Sequence, residues 1–174
     1  VIFCSYHVNV IIPFSIYLFY FKNERFKMIL AIDCSKGLNI LIFKNKKIFF
    51  IKKYTNIKNI SEILITKIEI ALKKIDLSYK DIKKVIIING PGSFTGIRSS
   101  ITFAKMLGLI LSIPVYGFSK FEIINFLYKN DKKMSKKIFL HHNLNQFYQC
   151  NFDKKNSQIS NLELTELGKN NKLI

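Results

Sequence analysis

The chain has 174 residues, 49% of them hydrophobic and 14% aromatic, enough to enclose one compact domain or two small lobes. Its formal charge of +17 makes it strongly basic, which favours polyanions, although 26 of its 28 basic residues are Lys and accompany abundant Ile, Asn, Phe and Tyr, as A- and T-rich codons would give. Cys4, Cys34 and Cys150 form no C-x-x-C pair, which excludes a disulfide framework or a zinc site and suits a reducing cytoplasm.

Residues 1–21 are apolar but are interrupted by His7, Asn9 and Pro13, and they lack a basic start or a small-residue cleavage site. Residues 1–27 are therefore expected to be a non-native or disordered extension rather than a membrane anchor. Residues 28–33, MILAID, predict a strand. Turns at Lys36-Gly37 and Asn45-Lys46 lead to further strands over residues 38–43 and 47–52, giving a three-stranded meander. Ile60, Ile63, Leu64, Ile68, Ala71, Leu72 and Ile75 then recur on one helical face, with Asn59 and Glu62 placed as cap and third helical residue. Ser78 and Asp81 form a second, weaker capping pair before the strand run Val85, Ile86, Ile87, Ile88.

Residues 90–98, GPGSFTGIR, carry the strongest motif. Gly90, Gly92 and Gly96 permit backbone shapes closed to other residues, and Ser93 or Thr95 can cap the following helix. Arg98, in the first helical turn, could fork onto phosphate or carboxylate. Two readings stay open: a tight strand-to-helix turn with no ligand, or a site for an anion or a partner at the helix head. The loop lacks the Lys-Ser/Thr of a Walker loop and spaces its glycines unlike a dinucleotide fingerprint. The second long helix spans residues 97–111, with Ile97, Ile101, Ala104, Leu107, Gly108 and Leu111 on one stripe. A strand over 113–117 and a helix over 120–128, opened by Ser119 and Glu122, follow. Beyond a lysine-rich link at 129–137, residues 138–142 and 147–152 predict two more strands.

The order β-β-β-α-β-α-β-α places an antiparallel meander before parallel crossover units. It predicts an α/β, actin-like or ribonuclease-H-like mixed sheet, with residues 28–128 as the first lobe and 129–174 as a truncated second lobe and tail. Here GPGSFTGIR and ILAIDCS (residues 29–35) resemble the TsaB-type (YeaZ-type) subunits of the bacterial complex that makes threonylcarbamoyladenosine in tRNA beside the anticodon. The resemblance covers residues 28 to about 127. Cys34 stands where threonine is usual, Ile60-Ser61 replaces a His-Ser pair, and of a second-lobe Asp-Ala-Arg and Glu-Val-Tyr pattern only Tyr148 remains.

The resemblance implies a non-catalytic scaffold, with metal and threonylcarbamoyl transfer on a larger TsaD-type subunit and ATP hydrolysis on a TsaE-type subunit. Residues of the two long helices that lie off their core stripes, Ile65 and Ile70 on the first and Met106, Leu109 and Ile110 on the second, either cover more of the sheet or form an interface. In the family the corresponding helices pack against the partner subunit or a second copy. Asp33 and Ser35 could supply the first hairpin of an actin-like ATP site, but no second glycine-rich loop follows Gly117, so neither ATP nor metal is expected to bind to this chain by itself. His141 and His142, adjacent in a strand, point to opposite faces and do not suit one metal ion. The competing functions are a small stand-alone ATPase or phosphotransferase and an RNA-binding module, the latter touching tRNA through Lys129, Lys132, Lys133, Lys136 and Lys137.

Overall fold

The structure is a computed structural model. It describes residues 2–4, 27–45, 47–57, 59–128, 135–143, 146–153, 155, 157, 158 and 160–166. Two compact units emerge, one of Asn9–Lys120 and one of Val1–Val8 with Phe121–Ile174.

The smaller unit begins with strand β1 (Ile2–Cys4). In the larger unit, β2 (Met28–Asp33), β3 (Leu38–Lys44) and β4 (Lys47–Tyr54) form the expected meander, followed by helix α1 (Ile60–Lys73), strand β5 (Ile82–Gly90), helix α2 (Phe94–Leu111) and strand β6 (Val115–Ser119). The five strands lie in the order β4-β3-β2-β5-β6. β2 runs antiparallel to β3 and parallel to β5, and β6 runs parallel to β5, with Leu30 between Ile42 and Val85. This is the mixed actin-like arrangement.

Alternation decides which side chains reach the helices. Leu30, Ile32, Ile40, Ile42, Val85 and Ile87 pack with Leu64, Ile68, Phe103 and Leu107 in one core. Ile29, Ala31, Leu41, Phe43, Ile86 and Ile88, on the alternate face, are buried too. Two buried faces account for the unbroken apolar runs of the central strands, and each buried Leu, Ile, Val or Phe contributes roughly 1.5–3 kcal/mol of burial. Helix α2 is long and apolar enough in composition to cross a membrane, but Gly96, Ser100, Phe103, Ala104 and Leu107 are buried on one side of it. The core stripe of α2 is thus turned from the expected one: Ile97, Ile101 and Leu111 are only half-buried, and Phe103 occupies the centre. Small Gly96 and Ser100 let the helix sit close, and this closeness sets which side faces inward.

In the smaller unit, helix α3 (Lys120–Leu127) is followed by β7 (Lys136–Asn143), β8 (Gln146–Phe152) and β9 (Glu163–Glu166), with β1 parallel to β7 in the order β1-β7-β8-β9. Ile2–Cys4 therefore joins a ladder, in a stretch expected to be an extension; residues 5–26 lie outside the described residues. The division between the units falls at Lys120, ahead of the expected 128. Phe121, Ile124, Ile138, Leu140, Cys150 and Phe152 form this unit's own core.

Candidate functional site

β2 ends in a self-closed turn. Asp33 is buried, and its Oδ1 accepts from the Ser35 backbone N–H at 2.8 Å and from the Ser35 hydroxyl. Its other oxygen, Oδ2, is buried with no hydrogen-bond partner. The turn leaves the Ser35 carbonyl pointing at the glycine loop, where the Ser93 N–H donates to it at 2.8 Å. Ser93, rather than Thr95, then caps α2: its Oγ accepts from the Gly96 N–H at 3.3 Å, and its carbonyl accepts from the Ile97 N–H at 2.9 Å.

The glycines answer to this contact. A Cβ on Gly92 would lie 2.4 Å from the Ser35 oxygen, and one on Gly96 would lie 2.3 Å from the Cys34 oxygen. Gly92 and Gly96 therefore let the loop and the helix head rest on the backbone of residues 34–35. The sequence leaves open whether the loop holds an external anion; in the structure its closest engagement is with its own chain. Asp33, Ser35 and the loop do come together, as one hydrogen-bonded joint between β2 and α2.

Electrostatics at the joint do not favour reactivity. Burial first, and the neighbouring Asp33 second, push the Cys34 thiol up to about 12, with a hydrogen bond to Ser100 partly opposing. Burial lowers the pKa of Lys120, and the attraction of Asp33 works against that fall. The one hydroxyl-carboxylate pair described at the joint, Ser35 with Asp33, is buried within the turn itself.

Outside the joint the loop shows an apolar and cationic surface. Phe94 is 72% exposed, and the Arg98 guanidinium carbon lies 5.0 Å from its ring centroid. Thr95 is exposed beside them. Further along α2, Leu109 is 82% and Ile110 70% exposed, with Met106 exposed next to them; on α1, Ile65 and Ile70 are exposed. Leu109 and Ile110 are the most exposed of the five. At 100° per residue, Met106, Leu109 and Ile110 fall within an arc of about 100° on α2. Exposure of Phe94 was not anticipated from sequence; its place as first residue of a helix, directly after the cap, is the signal that it points out of the turn.

The lysine-rich link fares differently. Lys129, Lys132 and Lys133 lie outside the described residues, Lys136 is buried with its Nζ donating to Asn125 Oδ1 at 3.4 Å, and Lys137 is exposed. Lys136 is therefore not placed to meet RNA, because the alternation of β7 turns it inward. His141 and His142 meet different rings, Phe147 edge-on at 5.3 Å and Tyr148 at a tilt at 4.7 Å between centroids. Among the described residues no three His, Cys, Asp or Glu side chains gather as a metal would require.

Comparison with known proteins fits this geometry. Residues 54–133 match the model of a family described as "TsaD: tRNA N6-adenosine threonylcarbamoyltransferase". The chain is 36% identical over 98 residues to the tRNA threonylcarbamoyladenosine biosynthesis protein TsaB of Buchnera aphidicola subsp. Schizaphis graminum, covering 56% of this chain and 46% of that protein. It is 33% identical over 99 residues to the TsaB of Bacillus subtilis, covering 55% and 42%. The matched stretch thus spans under half the length of either relative. Among solved structures it resembles YeaZ from Pseudomonas aeruginosa with a TM-score of 0.60 at 14% identity, over 81% of this chain and 68% of that one.

Proposed function

We propose that this chain, like the TsaB (YeaZ) proteins it resembles over about 98 residues, is a non-catalytic docking subunit of the complex that makes N6-threonylcarbamoyladenosine in tRNA. The observation that carries this reading is the exposed apolar face of α2, Met106, Leu109 and Ile110, on a domain whose glycine loop grips its own backbone. Three large apolar side chains within one arc give a helical partner something to bury, and Ile65 and Ile70 on α1 extend the supply. The partner is a larger TsaD-type catalytic subunit, with a TsaE-type ATPase completing the set. ATP and metal belong to those subunits, and the complex works in the cytoplasm. A second copy of this chain is the competing occupant of the same helical face.

The test is co-purification with the catalytic subunit at low salt. The wild-type chain is expected to be retained. Leu109→Asp with Ile110→Asp is expected to weaken retention at least 30-fold, equivalent to about 2 kcal/mol, with an unchanged circular-dichroism spectrum. No retention of the wild-type chain, or ATP turnover by the purified chain alone that Asp33→Ala abolishes, would overturn the reading.

A further inference from the structure

Between Asp33 and Glu62 the sequence holds seven lysines and no carboxylate. Three of them, Lys47, Lys52 and Lys53, stand on β4, which is the last strand of its sheet and pairs with β3 alone among the described residues. Lys47, Ile48, Phe49, Ile51, Lys52 and Lys53 are all exposed on it. The register with β3 shifts between Ile42 and Phe43, which pair with Phe50 and Ile48, so Phe49 is the extra residue of a bulge.

The ammonium groups are ordered against rings. Lys47 Nζ lies 5.4 Å from the Phe49 centroid, Lys52 Nζ lies 5.6 Å from the Tyr54 centroid, and Lys67 Nζ, from α1, lies 5.3 Å from the same Tyr54 ring. The nearest acids in sequence are engaged elsewhere. Glu62 accepts from Asn59 Nδ2 at 3.0 Å, and Asp33 is buried at its own turn. Lys36, behind the strand, has its pKa lowered first by burial and then by repulsion from Lys53, a sign that positive charge is crowded here.

We infer that the outer edge of β4, with Lys67 beside it, is a docking surface for a single-stranded segment of RNA. A row of lysines attracts phosphates whatever the sequence, and an exposed ring gives an unpaired base a surface to stack on. Lys47 takes only one face of the Phe49 ring. A second copy adding its own β4 in antiparallel fashion would set lysine rows against each other, so the charge that disfavours strand addition favours a polyanion. The choice of RNA rests on the tRNA-modification reading above; the surface itself does not.

The probe is a fluorescently labelled 12-mer of oligouridylate, its anisotropy followed with the full chain from 50 to 200 mM NaCl. Replacing Lys47, Lys52, Lys53 and Lys67 together by Gln is expected to weaken binding at least tenfold at 100 mM and to make the salt slope shallower by roughly 3. The control removes equal charge elsewhere, at Lys73, Lys74, Lys80 and Lys83, and is expected to cost less than threefold. Equal losses from both sets would mean diffuse charge and would overturn the proposal. Phe49→Ser is expected to weaken binding about fivefold with the slope unchanged. Because a variant can fail through misfolding, the wild-type chain is also photocrosslinked to a 4-thiouridine version of the probe. Crosslinks within residues 47–54 support the surface, and crosslinks confined to other residues refute it, as would a dimer that the oligomer competes away. The assay needs no other subunit. Retention by the catalytic subunit without oligomer binding therefore defeats this inference alone, and the reverse result defeats only the subunit reading.

Discussion

Gly96 offers the sharpest test of the joint between β2 and α2. In an ordinary exposed helix, Gly→Ala stabilises by about 1 kcal/mol. Here the added Cβ would stand 2.3 Å from the Cys34 carbonyl oxygen and 3.3 Å from both the Cys34 carbonyl carbon and Ile60 Cδ1. Carbon contacts settle near 3.5 Å, so the helix head must retreat by roughly 1 Å from a backbone that cannot rotate away. Overpacking of this kind costs about 1–3 kcal/mol, and a rigid neighbour puts the cost at the upper end. Subtracting the helix gain leaves Gly96→Ala less stable by about 2 kcal/mol. For a chain of this length that is a fall in Tm of about 4–8 °C. Urea unfolding checks it through a lower midpoint at unchanged slope, beside Thr102→Ala on the exposed face of the same helix, which should move by less than about 0.5 kcal/mol. A Gly96→Ala protein that is as stable as wild type, or more so, would show that α2 does not rest on Cys34.

Three further outcomes follow from the same region and its surroundings. Cys34 should resist alkylation in the native protein at pH 8, as peptide mapping would show, because burial and Asp33 hold its thiol protonated up to about 12. The linkage has a definite sign: the unfolded thiol ionises near pH 8.5–9, so the Cys34 contribution to stability is complete below that pH and is lost as pH rises from there towards 12. Asp33→Ala should destabilise by about 2 kcal/mol by leaving the Ser35 N–H and hydroxyl without their acceptor, whereas Asp33→Asn, which keeps one oxygen, should cost about half of that in urea unfolding. Asp81 accepts from the Ser78 backbone N–H and hydroxyl, both at 2.8 Å, which hold its carboxyl below the ordinary 3.8. Its contribution is therefore present above that value and lost as pH falls through the lower folded-state pKa, and Ser78→Ala should move the Asp81 titration upward by NMR.

Most of the frame was legible because each element had a local signal. MILAID gave β2 its observed limits, and the Ile60-to-Leu72 stripe gave α1 its buried face. The Asn59 and Glu62 pair also formed, though as an amide-to-carboxylate bond rather than a cap on the backbone. What was hidden is tertiary. Periodicity assigned α2 a stripe through Ile97 and Ile101, but the close approach at Gly96 turns the helix so that Ser100 and Phe103 face inward. No window along the sequence holds the Ser93-to-Ser35 bond, since its partners are 58 positions apart and meet only because β2 and β5 are neighbours. β9 lies in a polar stretch without alternation strong enough to mark a strand. Lys136, in the lysine-rich link expected to meet tRNA, is turned inward by β7 pairing.

Because the head of α2 is keyed to residues 34–35 and its inner side stays packed as far as Leu107, the aim of its far end is set both by that joint and by the core. Sixteen residues separate Ser93 from Leu109, a span of roughly 24 Å at 1.5 Å per residue. A tilt of about 10° at the fulcrum would swing Leu109 by roughly 4 Å, most of the width of a side chain. A carboxylate and a serine at the end of one strand thus help to set the aim of an apolar tip that neither of them touches.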